Sequence, residues 1–215
     1  MLKRALAGIV VVPLLCGVAA ADVIASATTD LNIRRGPGPQ FEVVGVIAAN
    51  DMATVTGCIQ GSQWCSVSYN GIEGWSFSAY LATDFSGNQV YLAEPPPALA
   101  LPTLTYDGPS AAVPGAIAGA TVGAIVGGPI GAAVGGTAGA LAGAVVDPPN
   151  TVRAFIANNP VQPIYLDGEV VVGATIPQTV QVIPVPQYQY AYVNVNGQPV
   201  LVDPATNRVV YIFRS

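Results

Sequence analysis

Six side chains between residues 34 and 80 could make a ligand site: Arg34 and Arg35 in LNIRRGPGPQ, and Trp64, Tyr69, Trp75 and Tyr80 in WCSVSYNGIEGWSFSAY. The two arginines are the sole cations from residue 22 to residue 84, and the four aromatics could line a shallow groove. An acidic peptide or a sugar face would stack there. The competing reading is structural: Trp75 beside Gly74 belongs to a core, and Arg34 pairs with Asp30 or Asp51.

Catalysis has little to work with. The chain has no histidine, and its one lysine is Lys3. Ser-His-Asp and Cys-His pairs, His-ligated zinc, Schiff-base and Ser-Lys chemistry and Walker phosphate loops are therefore excluded beyond residue 3. A carboxylate-pair hydrolase survives, with Glu42, Asp51 and Glu73 as the acids of the first domain. The twelve acids are scattered, mostly in turn-like settings such as Leu166-Asp167-Gly168-Glu169 and Val202-Asp203-Pro204, and read as solvated loop residues. The expectation is a non-enzyme without catalytic residues, cofactor or metal.

The elements that must position these residues begin after a leader. Lys3 and Arg4, the apolar run Ala5 to Val18 and the small residues Ala19-Ala20-Ala21 have the form of a secretory signal cleaved before Asp22. Lipidation at Cys16 competes, but Leu15 stands where such sites want a small residue. Loss of the leader leaves five arginines against twelve acids, a net charge of −7. That balance argues against nucleic acid as a partner, since phosphate binding needs a basic surface.

From residue 22 to 84 the chain reads as short strands at Val23 to Thr28, Leu31 to Ile33, Val43 to Ala48, Ala53 to Ile59, Gln63 to Tyr69 and Ile72 to Phe77. Asn70-Gly71 suits a two-residue type I′ hairpin, because both residues tolerate positive φ. Cys58 and Cys65 form an even pair, and outside the cytoplasm this spacing fits a disulfide across a hairpin. Closing so short a loop stabilises by about 2.5 kcal/mol. Setting the two cysteines opposite each other puts Val55 and Val67 on opposite faces, which predicts a bulge or a skewed pairing nearby.

The stretches LNIRRGPGPQFEVVGVI and GSQWCSVSYNGIEGWSFSAYL resemble the bacterial SH3 domain family of secreted proteins. The likeness runs from Asp22 to about Leu81 and rests on Leu31-Asn32-Ile33-Arg34, Gly36-Pro37-Gly38, Gly74-Trp75 and Tyr80-Leu81. It implies a small β-barrel that targets its host to the cell wall. Members are often fused to wall hydrolases, and the peptide stems of the wall are the usual suggested ligand.

Residues 85–112 carry prolines at 95, 96, 97, 102 and 109 and read as a semi-stiff polyproline linker. Residues 113–146 hold an uncharged ladder with glycine at every fourth position: Gly115, Gly119, Gly123, Gly127, Gly131, Gly135, Gly139 and Gly143. Such a stripe lets two helices approach closely. Eight glycines would drift about 280° around one straight helix, whereas four occupy a single broad face. With Gly127-Gly128-Pro129 at the midpoint, the expectation is a helical hairpin of roughly 115–127 and 130–145. Isolated in water it would not hold, and its arms fall short of a membrane core of ~30 Å. The ladder resembles the glycine-zipper segments of bacterial envelope proteins, which implies membrane association or self-association.

Residues 147–215 alternate again, with strands expected at Val161 to Leu166, Val170 to Val172, Val180 to Val185, Ala191 to Val195, Val200 to Val202 and Arg208 to Phe213. Asn196-Gly197 gives a second hairpin; Tyr188, Tyr190 and Tyr192 could form an aromatic stripe for binding, but their strand spacing favours a shared half-buried face. The segment resembles a domain family of unknown function at the ends of secreted envelope proteins. The fold class expected for the chain is mainly β: an SH3-like barrel, a glycine-zipper hairpin and a small β-rich C-terminal domain. The partners expected are peptidoglycan, an envelope protein, a membrane or a second copy, in the periplasm or cell envelope.

Overall fold

The computed structural model describes residues 22–108 and 146–214; the leader and the whole glycine ladder, with the hairpin expected there, lie outside the described residues. The first part is an SH3-like sheet whose strands follow the expected segments closely: β1 Val23–Ala27, β2 Leu31–Arg34, β3 Val43–Ile47, β4 Met52–Ile59, β5 Trp64–Tyr69 and β6 Ile72–Phe77. A 3-10 turn at Ser78–Tyr80 leads into β7 Leu81–Phe85. Asn70 and Gly71 join β5 to β6 at φ 50° and 80°, as the two-residue turn requires.

The bulge falls where the cysteines demand it. Val55 faces Val67 and Cys58 faces Cys65, with the register slipping between Val55 and Gly57. The Cys58–Cys65 disulfide spans a Cα separation of 3.9 Å. The Gly74-Trp75 pair also has a physical reason. A Cβ at Gly74 would lie 2.5 Å from the Arg34 carbonyl oxygen and 2.6 Å from Ile33 Cγ2, so glycine lets β6 close onto β2.

The expected free linker is a strap instead. Residues 88–91 form β8 (Asn88–Tyr91) against β7, and β9 (Thr103–Leu104) runs parallel to β4. The bulge frees the Cys58 N–H, which donates to the Pro102 carbonyl at 2.9 Å. The strap is not polyproline throughout: Pro97–Leu99 form a 3-10 turn, in which Leu99 N–H donates to the Pro96 carbonyl at 2.9 Å and Ala100 N–H to that of Pro97 at 3.1 Å. The full order is β3-β2-β6-β5-β4-β1-β7-β8, with β9 on β4 and β3 at one open end.

In the second part a helix, α1 Asn150–Asn158, stands where no helix was expected. Its signal is the i, i+4 pair Val152 and Ile156, both buried, with Phe155 beside them. The sheet β10 Ile183–Pro184, β11 Ala191–Val195, β12 Gln198–Asp203 and β13 Arg208–Ile212 is antiparallel in that order, with Asn196-Gly197 as the β11–β12 turn. The segments expected as strands at 161–166 and 170–172 do not form them. Only the isolated bridge Ile164 to Val195 remains there, because Pro160 and Pro163 remove donors and Gly168 and Gly173 turn the chain at φ 99° and 90°.

Strand alternation then builds two layers. Val193, Val195, Val200 and Val202 join the same core as Leu31, Ile33 and Val67 of the SH3-like part, along with Leu166, Val170 and Val171. Tyr192 and Leu201, on the opposite face, pack with Val152 and Ile156 of α1, and Tyr188 and Tyr190 adjoin them. The two parts thus share one hydrophobic core rather than meeting as beads on a string.

Candidate functional site

Arg34 ends β2, where alternation with Leu31 and Ile33 carries it into the seam between the two parts, 1% exposed. Its Nε donates to Glu169 Oε2 at 2.5 Å and its Nη2 to Glu169 Oε1 at 2.7 Å. Nη1 donates to the carbonyls of Pro39 at 2.9 Å, Phe41 at 2.6 Å and Asn196 at 3.3 Å. The planar guanidinium fork is the group that fits such a side-on grip.

Glu169 is held from its own side too. Val170 N–H donates to its Oε1 at 3.0 Å, and Asn32 Nδ2 bridges Glu169 Oε1 at 3.1 Å and Gln198 Oε1 at 2.8 Å. The Asn196-Gly197 turn sets the loop that delivers it: Asn196 Oδ1 accepts from Leu166 N–H at 2.8 Å, and Asn196 Nδ2 donates to the Gly168 carbonyl at 3.1 Å. A second, more exposed link joins Arg214 to Asp30 at 3.4 Å.

These contacts correct two expectations. Arg34 is not a ligand contact on an open groove, and its partner is neither Asp30 nor Asp51. Asp30 takes Arg214 and the Ala49 N–H, while Asp51 accepts the hydroxyl of Tyr69. Glu169, read with the solvated loop acids, is 1% exposed. A signal was present in its neighbours: an acid followed directly by Val170-Val171-Val172 sits in an apolar run that wants burial.

The other expected ligand residues are dispersed. Trp64 is buried edge-on to Phe77 at 5.5 Å, and Tyr80, also buried, lies 6.1 Å from the same ring. Trp75 is half-buried under Tyr106 of the strap, ring centroids 5.6 Å apart, and Phe41 flanks Tyr106 at 5.8 Å. Tyr69 shares the inward side of the sheet with Ile72 and packs on the core. Its hydroxyl bond to Asp51, with lesser desolvation, holds the phenol above its ordinary value. Arg35 is exposed and pairs with the equally exposed Glu42 at 3.0 Å. Solvent access therefore remains at Arg35, Tyr69 and Trp75, and no common groove joins the six.

What the structure offers instead is a cleft of about 630 Å³ on the seam. One wall is the consecutive run Val43 to Val46 of β3; the other is built from Tyr165, the Asn196–Pro199 turn, Phe213 and Arg214. The buried Arg34 lies at its base. Among the described residues no helix is long and apolar enough to cross a membrane, and no group of three His, Cys, Asp or Glu stands ready to hold a metal.

Strand order, the Asn-Gly turn and the Gly-Trp closure define an SH3-like β unit, with a second small β-rich part fused onto its core. Residues 29–82 match the family model described as Bacterial SH3 domain, and residues 155–214 match Domain of unknown function (DUF1236). A bacterial SH3 domain is typically a binding domain. Over 67 residues, 31% of this chain, the sequence is 33% identical to YrvJ of Bacillus subtilis (strain 168), whose name assigns it provisionally as an N-acetylmuramoyl-L-alanine amidase. The chain spans only 12% of that protein's length.

Proposed function

We propose that this chain is a non-enzymatic protein of a bacterial envelope, exported by its leader, whose SH3-like unit binds the peptide part of peptidoglycan. The match of residues 29–82 to the bacterial SH3 domain carries the reading, and the likeness to a protein named for wall amidase activity supports it. Arg35 and Trp75 are the wall contacts, since both keep solvent access. Sedimentation of the mature chain with purified sacculi tests this: the protein is expected in the pellet, with Trp75→Ala and Arg35→Ala each reducing the bound fraction. Full recovery of the wild type in the supernatant sinks the wall reading.

The glycine ladder adds association with a membrane or with a second copy. Its four-residue spacing and the absence of charge between Asp107 and Asp147 favour it. A second reading makes that ladder the functional part and the SH3-like unit its scaffold. The observation in its favour is that Arg34, Trp64 and Tyr80 are all internal. Alkaline extraction of envelopes separates the two, because a peripheral wall binder is released and an inserted segment stays with lipid.

A further inference from the structure

Side chains on a strand alternate between faces, so a cavity over one face of a strand touches every second residue. The seam cleft touches seven consecutive residues, Gln40 to Val46, of which Val43, Val44, Gly45 and Val46 belong to β3. It therefore runs along the edge of β3, where the strand presents backbone rather than one set of side chains. Among the described residues β3 is the terminal strand of the order and pairs with β2 alone. Its outer edge holds alternate N–H and C=O groups without a strand partner.

From this we infer that the cleft is a docking site for one extended, all-L polypeptide segment of a partner protein, which adds as a strand to β3. The chemistry of the wall facing β3 fits that occupant. Tyr165, Pro199 and Phe213 supply an apolar surface for one set of alternate side chains, while Gln198 and Arg214 supply polar ends for the other. Among the described residues Arg214 is held by Asp30, at 3.4 Å to its carboxylate and 3.3 Å to its carbonyl, and is partly exposed, so it is available to an acidic residue of the segment. Four residues of β3 span about 13 Å, which sets the segment at four or five residues. The SH3-like part supplies the edge and the C-terminal domain supplies the opposite wall, so neither part makes the site alone. This assigns the C-terminal domain a role, and it stands whether or not the wall is the other ligand of the SH3-like unit.

Main-chain pairing is tolerant of sequence, so a pooled probe suffices. The probe is a mixture of acetylated, amidated pentapeptides alternating Val, Leu or Phe with Thr, Gln or Asp, added at millimolar total concentration to the full mature chain. Amide hydrogen exchange at residues 43–46 is the readout. The pool is expected to slow exchange at the outward β3 amides at least tenfold, and the same pool N-methylated on alternate residues is expected to have no effect. Tyr165→Ala and Phe213→Ala, each checked for an unchanged fold by circular dichroism, are expected to raise the half-saturating concentration about tenfold.

Equal protection by the methylated pool, or none at β3, overturns the inference. So does protection without peptide: if it rises with protein concentration the occupant is a second copy, and if it is independent of concentration the chain covers its own edge. Protection by soluble muropeptides but not by the pool would make the wall the occupant. Sacculus sedimentation reads the wall proposal separately, so each can fail without the other.

Discussion

Replacing Glu169 by alanine removes the carboxylate that neutralises Arg34 while leaving the guanidinium 1% exposed. Breaking a buried pair by deleting one partner costs about 3–5 kcal/mol, because the remaining charge is stranded. Here the three carbonyls on Nη1 still accept from the guanidinium, and Gln198 still accepts from Asn32. The lower end, about 3 kcal/mol, therefore applies, a large share of the 5–15 kcal/mol typical of a domain. At a urea slope of about 2 kcal/mol/M the midpoint should fall by about 1.5 M. The reporter makes the test sharp: both tryptophans, Trp64 and Trp75, lie in the SH3-like part, whereas Glu169 lies in the other. The fluorescence transition should move by the full amount. A transition that stays within 0.3 M of the wild type would show that the two parts unfold independently and would refute the shared core. The double variant Arg34→Met with Glu169→Leu removes both charges and should recover most of the loss. A double variant as unstable as the sum of the singles would refute the electrostatic account.

Gly74→Ala should cost about 1–3 kcal/mol by overpacking, read from the same urea titration, since its Cβ would meet the Arg34 carbonyl at 2.5 Å. A neutral result would mean that β6 and β2 have slack the distances do not show. Asp51→Asn should bring the Tyr69 phenol back toward the ordinary 10.0, seen in alkaline difference absorbance against the wild type. The folded value is raised, so the contribution of Tyr69 to stability is present below pH 10.0 and is lost as pH rises through the folded value. The wild type should accordingly lose more stability over that range than the variant; identical alkaline declines would remove the Tyr69–Asp51 bond as the cause.

Local chemistry was legible in the sequence where it acts over a few residues. Asn70-Gly71 and Asn196-Gly197 declare their turns because few other residues accept two positive φ angles. The cysteine pair declares the bulge because two registers cannot both hold across one hairpin. What stayed hidden acts at long range. Arg34 and Glu169 are separated by 135 positions, and nothing in LNIRR says which acid will answer it. Helix α1 was missed for a different reason: two prolines before it and a valine-rich stretch after it make the region look extended, although Val152 and Ile156 mark one helical face. The candidate site suffered most, because a ligand groove was inferred from residue types and the fold spent three of the six inside.

A core shared between residues 22–108 and 146–214 makes the order of synthesis matter. Asn32 meets Gln198 across 166 positions, so the SH3-like part emerges long before its buried arginine has a counter-charge. Until the last third of the chain arrives, the first part is an unfinished fold with an open core.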